Sequence, residues 1–63
     1  MTESIPFAQA LKEARKAAGM SQQALADASR IPKRTIEAWE VQKRTPPEYV
    51  QYLVLDWIRN RNA

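Results

Sequence analysis

Between Ser21 and Arg44, the stretch SQQALADASRIPKRTIEAWEVQKR carries two sets of helix signals within 24 residues. That length holds two short helices and a tight turn, followed by a basic exit loop. Ser21 is a good capping residue, and Leu25 and Ala26 place apolar groups on one side of the helix behind it. Ile31 falls in the connection, ahead of Pro32, whose fixed φ suits a helix start. Ile36 and Trp39, three apart, form the inner seam of the second helix. At about 100° per residue, this seam turns Arg34, Glu37, Ala38 and Val41 to the opposite side. Lys33 lies at the edge of that outward front, in the first turn.

Charge concentrates on the same segment. The chain carries a net +3 with a pI near 9.7. Residues 1–29 balance, with Lys12, Arg15 and Lys16 against Glu3, Glu13 and Asp27. Residues 45–63 also balance, with Arg59 and Arg61 against Glu48 and Asp56. The excess comes from residues 30–44, where five cations (Arg30, Lys33, Arg34, Lys43, Arg44) face two anions (Glu37, Glu40), giving +3. A charge run usually marks a solvated face. Its coincidence with a short helix that is apolar behind and basic in front fits an element that enters a DNA major groove. On that reading, Arg34 can give two hydrogen bonds to the O6 and N7 of a guanine, and Lys33 can act similarly or hold a phosphate. Ala38 is small enough to let the helix approach and touch a thymine methyl. Glu37 either accepts a hydrogen bond from a cytosine amino group, Arg34 or Lys33, or stays in solvent. Thr35 lies to the side, suited to a phosphate, while Lys43 and Arg44 fix register on the DNA backbone.

Gly19-Met20-Ser21-Gln22, Leu25-Ala26, Ile31, Thr35-Ile36, Trp39-Glu40, Lys43-Arg44 and Pro46 together resemble the Cro and lambda-repressor helix-turn-helix family, the Xre-type regulators. The resemblance runs from about Phe7 to Leu53. It implies a compact, all-α, four-helix lambda-repressor-like DNA-binding domain with its helix-turn-helix at about 22–41. It also implies that Gln22, at a helix N-terminus, holds a phosphate and braces Lys33, and that Arg15 pairs with Glu40 to fix the angle between helices. The chain departs from the family at two places where glycine is usual, the turn (Arg30) and the exit loop (Gln42). A non-glycine residue forced to positive φ there costs about 1 kcal/mol.

Outside the motif, Ser4 is placed to cap a first helix with Pro6 in its first turn. Phe7, Leu11, Ala14 and Ala18 form its apolar face, and Gly19, the sole glycine, ends it. Thr45-Pro46-Pro47-Glu48 predicts a last helix opened by a Thr45 cap and a Glu48 capping box. Along that helix, Tyr49, Val50, Leu53 and Trp57 are expected to close the core. Val54, Leu55 and Ile58 then form a second apolar side, read as a homodimer contact, as is usual among these regulators. Met1–Glu3 and Asn60–Ala63 are expected to fray.

With no cysteine and no histidine, the chain lacks a thiol nucleophile, the usual general base and transition-metal ligands. One glycine leaves no phosphate-cradling loop. No metal or other cofactor is expected, and the chain is read as non-enzymatic. The longest apolar run, Tyr52–Leu55, falls far short of the ~20 residues of a membrane helix. The chain therefore reads as one domain over 1–63, a cytoplasmic regulator binding double-stranded DNA as a homodimer. A repressor, autoregulatory or acting on a neighbouring gene, fits this length. The competing reading is an antitoxin or inhibitor on the same fold, whose partner is a protein.

Overall fold

Three prolines and a serine open the helices, and three residues with left-handed backbone follow the first three. The computed structural model describes residues 5–61. Helix α1 spans Phe7–Ala17, α2 Gln22–Ser29, α3 Lys33–Glu40 and α4 Glu48–Arg61. No strand occurs among the described residues, and the architecture is all-α with four helices. Met1–Glu3 and the Ser4 cap lie outside the described residues, as do Asn62 and Ala63, whereas Asn60 and Arg61 continue α4.

Helix starts follow local chemistry. Pro6 is itself the cap of α1, two residues after the Ser4 cap expected from sequence, and its carbonyl accepts from the Ala10 N–H at 3.0 Å. Ser21 Oγ accepts from the Ala24 N–H at 3.0 Å, capping α2. Pro32 precedes α3. At α4 the expected capping box is absent: Thr45 makes no capping bond, and the Pro47 carbonyl accepts from the Val50 and Gln51 N–H groups. The reason lies in the double proline. A residue before proline is driven out of helical backbone, so Thr45 and Pro46 are both held extended and the helix waits for Pro47.

Helix ends are set by Gly19, Arg30 and Gln42, with φ of 73°, 68° and 64°. At α1, the Gly19 N–H bonds the Lys16 carbonyl and the Met20 N–H the Arg15 carbonyl, a Schellman ending with glycine in the left-handed place. Helix α3 ends identically with a glutamine there: Gln42 N–H to Trp39 O and Lys43 N–H to Ala38 O. Arg30 takes up the left-handed backbone after α2, where its N–H bonds Ala26 O and Ser29 Oγ accepts from the Ile31 N–H. Arg30 and Gln42 thus take up left-handed backbone at the two places where the resemblance leads one to expect glycine. An added Cβ at Gly19 would meet no atom within 4 Å, so backbone alone opposes a side chain there. Gly19→Ala should therefore lower stability by about 1 kcal/mol, and Arg30→Gly should raise it by up to about 1 kcal/mol. Thermal melts should move in opposite directions, by about 4–8 °C per kcal/mol. Shifts of the same sign would remove the strain argument.

The core unites Phe7, Leu11 and Ala14 of α1, Leu25 and Ala26 of α2, Ile36 of α3, and Val54 and Ile58 of α4. Leu11, Leu25, Ile36 and Ile58 are fully buried, each worth about 1.5–3 kcal/mol over an exposed position. Trp39 is half-buried and meets the Phe7 ring edge-on, with centroids 5.7 Å apart. Helix α1 packs on both α3 and α4, and α2 packs on α3.

Helix α4 corrects the sequence reading. Val54 and Ile58, expected to project towards a second copy, lie inside, with Leu55 half-buried against the core. Tyr49 and Leu53, expected inside, are 68% and 64% exposed. The helix carries apolar residues nearly all round, so spacing alone leaves its rotation open. The row Val50, Val54, Ile58 supplies compact branched side chains to the space beside α1 and leaves the tyrosines, with their hydroxyls, to water. Val54 and Ile58, assigned from sequence to a homodimer contact, are thus buried within the chain itself.

Candidate nucleic-acid interface

The site is assembled around the buried end of α3. Glu40 is 5% exposed, an unusual place for a carboxylate, and it is fully served. Arg15 of α1 donates from Nε to Glu40 Oε2 at 2.8 Å and from Nη2 to Oε1 at 3.2 Å, a two-handed pair. Its Nη1 donates to the Met20 carbonyl at 2.9 Å, tying in the α1–α2 connection. Gln22 of α2 donates from Nε2 to Glu40 Oε1 at 3.0 Å. Two helices, α1 and α2, thus converge on one carboxylate of α3, and no buried side-chain polar atom among the described residues lacks a partner. The bracing of Lys33 by Gln22 is not found. Gln22 sits beside Glu40, seven residues along α3 from Lys33, about 10 Å at 1.5 Å per residue.

With Ile36 and Glu40 turned inward, the opposite face of α3 stands open. Lys33, Arg34 and Glu37 are exposed, Thr35 and Ala38 are half-buried at its edges, and Val41 is 64% exposed. Lys33 Nζ and Glu37 Oε2 lie 3.8 Å apart across one turn. At such exposure this pair is worth a few tenths of a kcal/mol and opens readily. The Arg34 side chain has neither a hydrogen bond nor an ion pair among the described residues. Lys43 and Arg44 are exposed on the loop that leaves the helix. With its side chains an α-helix is about 10–12 Å across, which a major groove about 12 Å wide admits.

Sequence comparison bears on this arrangement directly. A helix-turn-helix family model matches residues 11–50, covering 40 of the 63 residues and every residue of α2 and α3. The chain belongs to the Cro and lambda-repressor type of helix-turn-helix family, the Xre-like regulators. No curated protein and no solved structure matches it. As a helix-turn-helix protein it is a DNA-binding regulator in general terms, and α2, the Arg30 turn and α3 are the motif. No helix among the described residues is long and apolar enough to cross a membrane.

Two features of this helix-turn-helix site escaped the sequence reading. Gln22 serves Glu40, a contact between residues 18 apart that local spacing does not encode. The exposed ridge of Tyr49, Leu53 and half-buried Trp57 on α4 was assigned to the core; its four-residue spacing was visible, but not which side of the helix faced α1.

Proposed function

We propose that this protein is a sequence-specific, cytoplasmic transcriptional repressor that binds a two-fold operator as a homodimer and acts by occlusion at its own or a neighbouring promoter. The observation that carries the reading is the open front of α3, basic and unpartnered at Arg34, on a helix whose rear is fixed by Ile36 and Glu40. Arg34 reads a guanine, and Lys33 contacts a base or phosphate beside it. Glu37, released from Lys33, accepts from a cytosine amino group, while Ala38 and Val41 meet thymine methyls. Thr35, Lys43 and Arg44 hold backbone phosphates. Gln22 already spends one amide hydrogen on Glu40, and its second is the one available to a phosphate. Selection of bound DNA from a random pool tests the reading. The expected product is a two-fold site with half-sites one turn apart, ~34 Å. Recovery of no common sequence would remove sequence-specific recognition.

For dimerisation, the ridge of Tyr49, Leu53 and Trp57 replaces the side assigned from sequence. Leu53→Lys, which places like charges across a two-fold contact, should give monomers in sedimentation and weaken operator binding at least tenfold. The same ridge favours a second reading, a protein partner of the antitoxin kind. A wild-type chain that sediments as a monomer and binds DNA no differently from Leu53→Lys would support that reading. Salt also separates the two: DNA affinity falls steeply with log[salt], whereas an apolar protein contact does not.

A further inference from the structure

Residues 42–44 of the loop leaving α3 have spent their backbone donors. Gln42 N–H bonds Trp39 O at 3.2 Å, Lys43 N–H bonds Ala38 O at 2.9 Å, and Arg44 N–H points to the same Ala38 O at 3.4 Å. The three amides beside the open front therefore face back into the helix, and only side chains remain to meet an anion there. Lys43 and Arg44 supply two. The third is Gln42, which holds a left-handed backbone at φ 64°, a place where glycine is favoured because it lacks a Cβ. Its side chain is exposed. The other four glutamines each donate to a neighbour: Gln9 to Glu13, Gln22 to Glu40, Gln23 to Asp27 and Gln51 to the Pro46 carbonyl. Gln42 alone has no side-chain partner among the described residues. A strained residue with an idle amide, placed between Val41 and the two loop cations, calls for a reason outside the folded chain.

From this we infer that Gln42 is a DNA-binding residue, its carboxamide donating to a phosphate oxygen of the duplex backbone beside the contacts of Lys43 and Arg44. The inference rests on the DNA-binding reading above. It separates the needs of the fold from those of the interface, since glycine would serve the loop better and the duplex worse.

Two variants test it. Gln42→Gly relieves the backbone and should raise the melting temperature, while Gln42→Ala keeps the left-handed strain and should leave it nearly unchanged. Both remove the carboxamide, and both should weaken binding to operator and random duplex alike by roughly fivefold per subunit. Because glutamine is neutral, the slope of log Kd against log[salt] should stay at the wild-type value, unlike the slope of a lysine variant. Wild-type affinity in both variants would overturn the assignment while leaving the DNA reading intact. A loss in Gln42→Gly alone would place the effect in loop flexibility and also overturn it, as would a loss confined to one base pair. A wild-type protein with no salt-dependent affinity for duplex DNA would remove the broader reading, and this inference with it.

Discussion

Replacing Arg15 by alanine is expected to lower folding stability by about 3–5 kcal/mol, a large part of what a domain of this size holds. The change leaves the Glu40 carboxylate 5% exposed, with the Gln22 amide as its remaining partner. It also frees the Met20 carbonyl that Arg15 Nη1 serves. Arg15→Lys keeps the charge but not the two-handed geometry, and should fall between wild type and alanine. An apolar replacement of both partners, Arg15→Met with Glu40→Leu, should recover most of the loss, because it leaves no charge stranded. Urea denaturation of the four proteins checks this. A loss below about 1 kcal/mol in Arg15→Ala would mean the pair behaves as a surface contact.

The second large effect concerns recognition. Arg34→Ala should weaken binding to the selected operator by about 1–3 kcal/mol per half-site, and should flatten the preference at one base position in each half. Lys43→Ala should weaken all duplexes about equally and reduce the salt slope by about 0.9 per subunit. Both residues are exposed cations, Arg34 in the first turn of α3 and Lys43 just past its last, so bulk charge alone predicts equal behaviour. Binding measured on the operator, on operators changed at single positions and on random DNA distinguishes them. Equal losses on every duplex would end the division between a base reader and a backbone clamp.

Most of the motif was legible because its signals are local. Ser21 as cap, Gly19 as stop and the Ile36–Trp39 seam act within a turn or two of chain, and each helix they define is amphipathic with a clear rear. The Arg15–Glu40 pair spans 25 residues and came from family resemblance, since no spacing rule connects those positions. The resemblance also marked Arg30 and Gln42 as places where the family has glycine, and both take up the left-handed backbone. Helix α4 was misread for two physical reasons. Its start depends on consecutive prolines acting against a capping signature that otherwise looks complete. Its rotation depends on how closely Val54 and Ile58 fit beside α1, a three-dimensional match invisible in a helix apolar on most sides. The residues assigned to a homodimer contact were chosen on that same expected rotation.

The bonds that join Glu40 to Arg15 and Gln22 also govern how this protein meets a duplex. A helix pinned at its far end to two neighbours has little freedom to roll or slide when it lands. Adjustment then falls to exposed tips such as Arg34, Lys33 and Glu37, and to the DNA, whose bending must accommodate a reader that does not bend. Operators should accordingly be distinguished by how easily their uncontacted steps deform, as well as by the bases that α3 touches.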